Sequence, residues 1–373
     1  MTAGVKARKA RTQAVSPSRN KAPLDVGVDG SFARRLVDWQ KRHGRQTLPW
    51  QQTRDPYRIW LSEIMLQQTQ VATVIPYYQR FLQRFPDVAS LARAELEEVL
   101  ALWSGLGYYS RARNLHQAAR QVAELGEFPS TREGLEQLSG VGRSTAAAIA
   151  VFSRGANEAI LDGNVKRVLS RHFAIEGFPG ASAVEKRLWQ LAEALLPAKE
   201  MEAYTQGLMD LGATLCTRAR PACDRCPVGA SCLARRDNRV AEFPAARLRK
   251  PVPHKTTVMA ILLGAGEVYL EQRPPTGIWG GMLSFPEFSS AHEAVDACAA
   301  RYGCQVLEER GLPLLAHGFT HYSLSIHPVV YRVRRTGQAL HEAGGRWMTL
   351  DGALAASIPK PVRTLLGQLQ NLY

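Results

Sequence analysis

Two acidic residues of this chain are well placed for acid–base chemistry, and Glu63 is the first. It lies in the helical pattern PYRIWLSEIMLQQT, where Ile59, Trp60 and Leu66 are three or four positions away and share its helix face. Apolar surroundings raise the pKa of a carboxyl, so Glu63 is a candidate proton donor near neutral pH. An exposed glutamate on a helix surface is the plain alternative.

The second carboxylate, Asp162, starts a helical pattern at the end of a glycine-rich stretch. This stretch, 139–167, opens with Gly140-Val141-Gly142 and runs directly into another helical pattern. Glycines let backbone amides approach a ligand closely, and a helix N-terminus adds partial positive charge, so the turn suits a phosphate. It neither follows a strand nor has the third glycine of a dinucleotide-binding fingerprint, which excludes a Rossmann site. The helix-hairpin-helix motif has this form.

Four of the six cysteines fall within 17 residues. They are Cys216, Cys223, Cys226 and Cys232. Such clustering favours a metal or cluster site in a reducing compartment over a dispersed disulfide framework. A zinc site more commonly has two separated cysteine pairs, so the single C-x2-C indicates an iron–sulfur cluster. Arg218 and Arg220 lie between the first two cysteines, where a loop tied at both ends would present them to a phosphate backbone.

The sequence 105–109, Gly-Leu-Gly-Tyr-Tyr, combines flexible backbone with two adjacent rings, and Arg111 and Arg113 follow it. The rings could insert into a base stack while the arginines hold phosphates. A tight turn between helices with two core tyrosines is an equally good interpretation.

A polyanionic partner also suits the overall charge. The chain has 373 residues, a formal net charge of +14 and 45% hydrophobic residues, which is enough for a full core. No apolar run approaches the ~20 residues that cross a bilayer. Nucleic acid is therefore favoured over a membrane surface.

The elements that must position these residues are predicted to form two domains. Residues 1–28 are basic, lack apolar periodicity and are expected to be disordered, either as a bacterial tail or as a mitochondrial transit peptide. Residues 29–236 carry helical spacing and no strand signal. A Pro- and Arg/Lys-rich linker at 237–256 leads to an α/β domain at 257–373.

Local patterns predict the individual elements. In the first domain, helices are expected at about 71–85, 94–103, 111–124, 183–196 and 203–215. In the second, a β-hairpin turns at Gly264-Ala265-Gly266, a helix covers about 291–302, and strands cover about 312–318 and 322–334.

Taken together, these features resemble the helix-hairpin-helix DNA glycosylases that carry a [4Fe-4S] cluster, and more narrowly the adenine DNA glycosylase (MutY) family. The resemblance covers about 31–373. It rests on LPW at 48–50, WLSEIMLQQTQVATVIPYY at 60–78, GLGYYSRARNLH at 105–116, LDGNVKRVL at 161–169 and MDLGATLCT at 209–217.

The resemblance implies roles in removing adenine that is mispaired with 8-oxoguanine or guanine in double-stranded DNA. Glu63 matches the general acid that protonates the leaving base. Asp162 matches the carboxylate that stabilises the oxocarbenium-like sugar, and Asn164 positions the acid network. This agrees with the residue chemistry, because N-glycoside cleavage needs an acid for the leaving group and an anion beside the sugar.

The same resemblance assigns DNA contacts. Tyr108 matches a wedge, Gln67-Gln68 an insertion loop, and the Gly140–Gly142 hairpin the phosphate grip. Bifunctional relatives carry a lysine nucleophile where this chain has Ser144, so the resemblance implies a monofunctional enzyme without β-lyase activity.

The C-terminal domain resembles a Nudix fold. Gly281 and Glu287 have the spacing that opens the Nudix box, but Val295, Asp296, Ala299 and Ala300 stand where the rest of the box needs Arg and paired Glu. A Mg²⁺–pyrophosphate site is therefore not expected, and the resemblance implies binding of 8-oxoguanine by the loop Phe319, Thr320 and His321.

Two other functions are open at this level. One is a bifunctional pyrimidine-lesion glycosylase/lyase, against which Ser144 argues. The other is a non-catalytic protein that binds DNA structure, against which Glu63 and Asp162 argue. In each case a monomer is expected, in a bacterial cytoplasm on the nucleoid or, for a eukaryotic source, in the mitochondrion or nucleus.

Overall fold

A computed structural model describes residues 30–247, 251–275, 277–319, 321–336 and 345–370. The predicted tail at 1–28 and the recognition-loop residue Thr320 lie outside the described residues. None of the described helices is long and apolar enough to cross a membrane.

The N-terminal domain is helical, and between residues 31 and 236 the described structure has no strand, as predicted. Its helices are α1 (Ser31–His43), α2 (Pro56–Leu66), α3 (Val71–Arg84), α4 (Val88–Arg93), α5 (Leu96–Trp103), α6 (Ser110–Leu125), α7 (Arg132–Glu136), α8 (Arg143–Arg154), α9 (Gly163–His172), α10 (Ser182–Ala194), α11 (Met201–Asp210) and α12 (Leu233–Arg236). The helix expected at 203–215 ends as α11 at Asp210 and continues as a wider π-type turn, Leu211–Leu215.

Local signals account for the start of α2. Asp55 is its N-cap and accepts a hydrogen bond from the Tyr57 amide at 2.9 Å, while Pro56 occupies the first helical position. Trp60 and Leu61 then bury completely. The helix is held rigidly, and Glu63 with it.

Two hydrophobic clusters form the core of this domain, one around Trp60 and Trp103 and the other around Leu36 and Leu169. Helix α8 lies between them, because its alternate faces are lined by alanines small enough for both clusters to pack against. Glu63 belongs to an element of the first cluster and Asp162 adjoins the second. The active-site candidates therefore come from opposite sides of α8.

The C-terminal domain is a mixed sheet covered by helices on both faces. Its elements are β1 (His254–Gly264), β2 (Glu267–Gln272), β3 (Leu283–Ser284), β4 (Glu287–Phe288), α13 (Ala291–Ala300), β5 (Cys304–Gly311), β6 (Leu315–Gly318), β7 (Ser323–Arg335), β8 (Gly345–Thr349), α14 (Leu350–Ala355) and α15 (Lys360–Gln370). The main strand order is β3-β2-β1-β7-β5, with β1 and β7 parallel.

Successive side chains of β1 point to opposite faces of the sheet, and each face packs against a different helix. Met259 and Ile261 pack with α15, whereas Ala260 and Leu262 pack with α13. The predicted hairpin is present: Gly264 pairs with Glu267 across a two-residue turn, Ala265-Gly266, in which both residues have positive φ.

Several elements differ from the sequence expectation. The strand expected at 312–318 is present only as β6, from Leu315, and β5, β8, α14 and α15 were not predicted. Strand β5 escapes detection because it lies at a sheet edge and most of its side chains are exposed. Strand β1 starts at His254, inside the segment expected to be linker.

Candidate active site

Glu63 lines a cavity of about 840 Å³ in the helical domain. This central cavity lies between α2, α11 and the segment 45–54, and Trp50 and Phe152 line it as well. Burial raises the pKa of Glu63 to about 8, and the negative charge of Asp162 adds to the effect. Glu63 therefore keeps its proton at neutral pH and can still be reached from the cavity.

Asp162 is the N-cap of α9. Its Oδ1 accepts a hydrogen bond from the Val165 amide at 2.7 Å. Burial raises its pKa, whereas the backbone hydrogen bonds and the nearby cations Arg167 and Lys166 act in the opposite direction. These contacts stabilise the Asp162 carboxylate, and its negative charge in turn favours the protonated form of Glu63. The pair thus combines one proton donor with one anion, the division of roles seen in glycoside hydrolysis.

Ser144 lies in the first turn of α8 and is partly exposed. Its Oγ accepts a hydrogen bond from the Leu161 amide at 2.9 Å, directly before Asp162. Lys166, which also lies close to Asp162 in sequence, pairs with Glu185 at 2.6 Å. The sequence pointed to Ser144 as a DNA contact and as the position of a missing lysine, and this contact to the Asp162 turn was not foreseen.

Asn164 is held from two sides. Its Oδ1 accepts a hydrogen bond from Arg167 Nη2 at 2.8 Å. Its backbone and side chain pack so tightly on Gly212 that a Cβ there would lie 2.5 Å from the Asn164 Cβ. A glycine is therefore required in the π-type turn that approaches Asn164.

Two arginines one turn apart connect α9 to residues 216–232, the loop that carries the four clustered cysteines (the cysteine loop). Arg167 Nε donates to the carbonyl oxygen of Cys216 at 2.8 Å, and its Nη2 donates to that of Gly212 at 2.7 Å. The buried Arg171 donates to the carbonyl oxygen of Thr217 at 2.7 Å, and its Nη1 lies 3.4 Å from Cys216 Sγ. Sequence reasoning missed both, although arginines four apart on one helix face are a visible signal.

The four clustered cysteines line one pocket and are free thiols. Among the described residues, no three His, Cys, Asp or Glu side chains are close enough together to hold a metal ion. Four thiols around one shared pocket are a donor set that fits an iron–sulfur cluster. Arg218 and Arg220 are exposed on the loop between Cys216 and Cys223.

The hairpin between α7 and α8 has the geometry that its glycines indicated. Gly140 has φ +77°, and a Cβ there would come within 2.7 Å of Asn114. The Val141 amide donates to the Leu138 carbonyl oxygen at 3.1 Å, and Gly142 is the N-cap of α8. The turn thus ends at a helix N-terminus, as an anion site requires.

Gln68 and Tyr108 lie at the tips of two loops and share an unusual backbone. Their φ angles are +58° and +50°, in the left-handed region. Tyr108 is 46% exposed, whereas its neighbour Tyr109 packs into the core. Gln67 Nε2 lies 3.4 Å from Thr145 Oγ1 on α8. The structure therefore brings the Gln67-Gln68 loop next to the hairpin helix.

Arg111 is buried, although the sequence suggested that it could contact a phosphate. Its buried guanidinium donates to the Gln67 carbonyl oxygen at 2.6 Å and to the Gly107 carbonyl oxygen at 3.1 Å, so it joins both loops. Burial lowers its pKa to about 10, and it remains charged. Arg113 also points elsewhere, with Nη1 donating to the Gly280 carbonyl oxygen at 2.9 Å.

In the C-terminal domain, Phe319 lies at the centre of an aromatic cluster. Its ring centroid is 5.4 Å from Trp279, 4.6 Å from His317, 4.6 Å from Tyr322 and 6.2 Å from His321. The Phe319 amide donates to the Tyr322 carbonyl oxygen at 2.9 Å, which closes the loop. Next to this cluster, Glu287 forms an ion pair with Arg273, whose guanidinium carbon lies 5.6 Å from the centroid of the Trp279 ring.

Comparison with known proteins finds a matching family profile in each half of the chain. The family profile described as "HhH-GPD superfamily base excision DNA repair protein" matches residues 61–194, and a NUDIX domain profile matches 257–368. Among solved structures, a thermostable thymine-DNA glycosylase aligns with a TM-score of 0.50 and 29% identity, over 55% of this chain and 95% of its own.

Full-length relatives extend the likeness over both domains. The adenine DNA glycosylase of Buchnera aphidicola subsp. Acyrthosiphon pisum is 34% identical over 90% of this chain and 96% of its own. That of Homo sapiens is 34% identical over 92% of this chain and 76% of its own. The chain belongs to the adenine DNA glycosylase family of base-excision repair proteins.

Proposed function

We propose that this protein removes adenine mispaired with 8-oxoguanine or guanine in double-stranded DNA, by acid-assisted hydrolysis of the N-glycosidic bond. The observation that carries the proposal is Glu63, which lines the central cavity and whose pKa is raised to about 8 by burial and by the charge of the capped carboxylate Asp162. A protein that only binds DNA structure has no need of such a pair.

In the proposed reaction the adenine is flipped out of the duplex into the central cavity. Glu63 donates its proton to a ring nitrogen of the base. The glycosidic bond then breaks, its electron pair leaves with the adenine, and positive charge develops on the sugar. Asp162 stabilises that charge, through a transient covalent bond to the sugar, and a water molecule finally supplies the hydroxyl group of the abasic product.

The walls of the central cavity suit a purine. Trp50, Leu48 and Phe152 offer apolar surface, and Gln206 lines the cavity from α11. Gln206 Nε2 donates to Asp210 Oδ1 at 2.9 Å, so its amide oxygen is the end that can accept a hydrogen bond from the exocyclic amine of adenine. Sequence reasoning missed Gln206, since a glutamine inside a helical pattern carries no distinctive signal.

Contacts to the duplex follow from the loops around the cavity. The Gly140-Val141-Gly142 hairpin would hold a phosphate, with Ser144 close by. Tyr108 would insert beside the mispair, and Gln67 and Gln68 would fill the space left by the flipped base. Arg218 and Arg220, on the cysteine loop, would contact the backbone further along. The formal net charge of +14 favours this association.

We assign recognition of the opposite base to the C-terminal domain, through Phe319, Thr320 and His321. A partly exposed aromatic cluster can stack on a base while neighbouring polar groups bond its edge. We also assign residues 29–236 to catalysis, 237–256 to a linker and 257–373 to recognition, with the protein acting as a monomer on bacterial DNA.

The four cysteines Cys216, Cys223, Cys226 and Cys232 would hold a [4Fe-4S] cluster. When bound, the cluster supplies a covalent cross-link that closes the loop carrying Arg218 and Arg220. Arg167 and Arg171 already fix the backbone at Cys216 and Thr217, so the loop is supported from α9 as well.

A single-turnover assay tests the proposal. Purified protein is mixed in excess with duplexes that contain A:8-oxoguanine, A:G, A:T or C:8-oxoguanine. We expect adenine release from the first two duplexes only, and strand cleavage only after hot alkali, because Ser144 supplies no amine. Release of no adenine from A:8-oxoguanine, or trapping of a covalent complex by borohydride with efficiency equal to turnover, would overturn the proposal.

A further inference from the structure

The loop that carries Tyr108 is held from the C-terminal domain as well as from its own. Ser104, the first loop residue after α5, accepts a hydrogen bond from Arg363 Nη2 at 3.1 Å, and its hydroxyl donates to the Ile358 carbonyl oxygen at 3.3 Å. Arg363 Nη1 donates to the Leu354 carbonyl oxygen at 2.7 Å, which fixes the guanidinium between α14 and α15. Tyr109 packs against the cores of both domains.

A second hydrogen bond between the domains lies at the other end of the same loop. Helix α6 starts immediately after Tyr109, and Arg113 in its first turn donates to the Gly280 carbonyl oxygen at 2.9 Å. Gly280 follows Trp279, whose ring lies 5.4 Å from Phe319. A continuous chain of contacts therefore runs from the aromatic recognition cluster to the base of the Tyr108 loop.

These contacts matter because the Tyr108 backbone is strained. A non-glycine residue with φ +50° persists only where its surroundings hold it, and Tyr108 itself is 46% exposed. Within its own domain, Arg111 and the Trp103 indole, which donates to the Gly107 carbonyl oxygen at 3.1 Å, hold one side. Two contacts between the domains hold the ends of the loop: Arg363 of the other domain donates to Ser104, and Arg113 on α6 donates to the Gly280 carbonyl oxygen of that domain.

We propose that Arg363 and Arg113 are positioning residues that couple recognition of the opposite base at Phe319 to insertion of Tyr108. This rests on the proposed function, which assigns base recognition to Phe319 and the wedge to Tyr108. Binding of 8-oxoguanine would favour the arrangement in which both contacts are made and Tyr108 is inserted, so the preference for 8-oxoguanine over guanine arises at this junction.

The experiment compares Arg363→Ala and Arg113→Ala with a matched control, Arg346→Ala. Arg346 also forms an ion pair across the domains, but with Glu97 at the far end of α5. We expect each test variant to slow single-turnover excision from A:8-oxoguanine about fivefold more than excision from A:G, a size usual for coupling between sites. The control should keep the wild-type ratio, and Arg363→Lys should recover part of it.

Fluorescence of 2-aminopurine in place of the target adenine reports base flipping directly. Opposite 8-oxoguanine, Arg363→Ala should show a smaller or slower rise than wild type, and combining it with Phe319→Ala should add little further loss. Equal slowing on both mispairs, or losses that multiply in the double variant, would overturn the coupling. If the wild type releases no adenine from either mispair, it is the proposed function that fails.

Discussion

The hydroxyl oxygen of Ser144 accepts a hydrogen bond from the Leu161 amide at 2.9 Å. The first turn of the hairpin helix α8 is thereby joined to the peptide that precedes Asp162. A phosphate held at the hairpin and a sugar held at Asp162 would be kept at a constant separation, because one short contact connects the elements that bind them.

Removing this contact should weaken catalysis more than folding. We expect Ser144→Ala to lower the single-turnover rate about three- to tenfold, since the loss of one hydrogen bond lets the Asp162 turn shift. Ser144→Thr keeps the hydroxyl and is the control. Thermal unfolding of both variants checks the fold, and a wild-type rate for Ser144→Ala would contradict the positioning role.

Replacing Glu63 should abolish activity and raise the free energy of unfolding. The folded pKa of about 8 lies above the ordinary value of 4.5, so from pH 4.5 to 8 unfolding releases a proton and stability falls as pH rises. Glu63→Gln removes this effect. We expect adenine release to be lost and the free energy of unfolding at pH 8 to rise by roughly 2 kcal/mol, with little gain at pH 4.5. Urea titrations at both pH values measure this, and an equal gain at both would contradict it.

The same pKa predicts the pH dependence of the reaction. Glu63 must be protonated to act as the acid, so the single-turnover rate should fall about tenfold per pH unit above pH 8. Asp162 must be ionised, so the rate should also fall at acidic pH, where that carboxyl gains its proton. Measurements must be made with protein in excess, so that product release does not hide the profile. A rate that rises from pH 7 to pH 9 would exclude Glu63 as the proton donor.

Asp162 offers a substitution that separates catalysis from helix capping. Asparagine is as good an N-cap as aspartate, so Asp162→Asn should change stability by less than about 1 kcal/mol and lower the rate by about 10³ or more. Asp162→Ala should lose the rate and also about 1 kcal/mol of stability. Near-wild-type turnover by Asp162→Asn would remove Asp162 from the mechanism.

Replacing Arg167 should lower both the iron content and the rate of excision. Its guanidinium contacts both Asn164 and Cys216, so Arg167→Met removes donors from the Asn164 side chain and from the carbonyl oxygens of Gly212 and Cys216. We expect lower iron content per protein, measured by iron and sulfide analysis, and slower excision. Arg225→Ala, an exposed arginine within the cysteine loop, is the control. Full iron content in Arg167→Met would contradict the link.

Much of this protein can be predicted from local sequence. The cap and proline at Asp55-Pro56, the hairpin glycines and the cysteine spacing depend on neighbours a few residues apart, and the structure has the corresponding turns and helix starts. The raised pKa of Glu63 was likewise expected from its apolar helix face. Edge strand β5 was missed because its pattern depends on pairing with β7, which is distant in sequence.

Only the tertiary structure decided which groups meet. The sequence around Arg111 does not show that this residue is buried and joins two loops. It also does not show that Arg113 bonds the C-terminal domain at Gly280, or that Arg363 of that domain bonds Ser104 in the Tyr108 loop. An arginine has the same local signal whether it contacts a phosphate or a carbonyl oxygen. The sequence by itself determined the chemistry of Glu63, Asp162 and the cysteines, because residue type and spacing are local. Their mutual placement depended on packing around α8, which sums contacts from the whole chain.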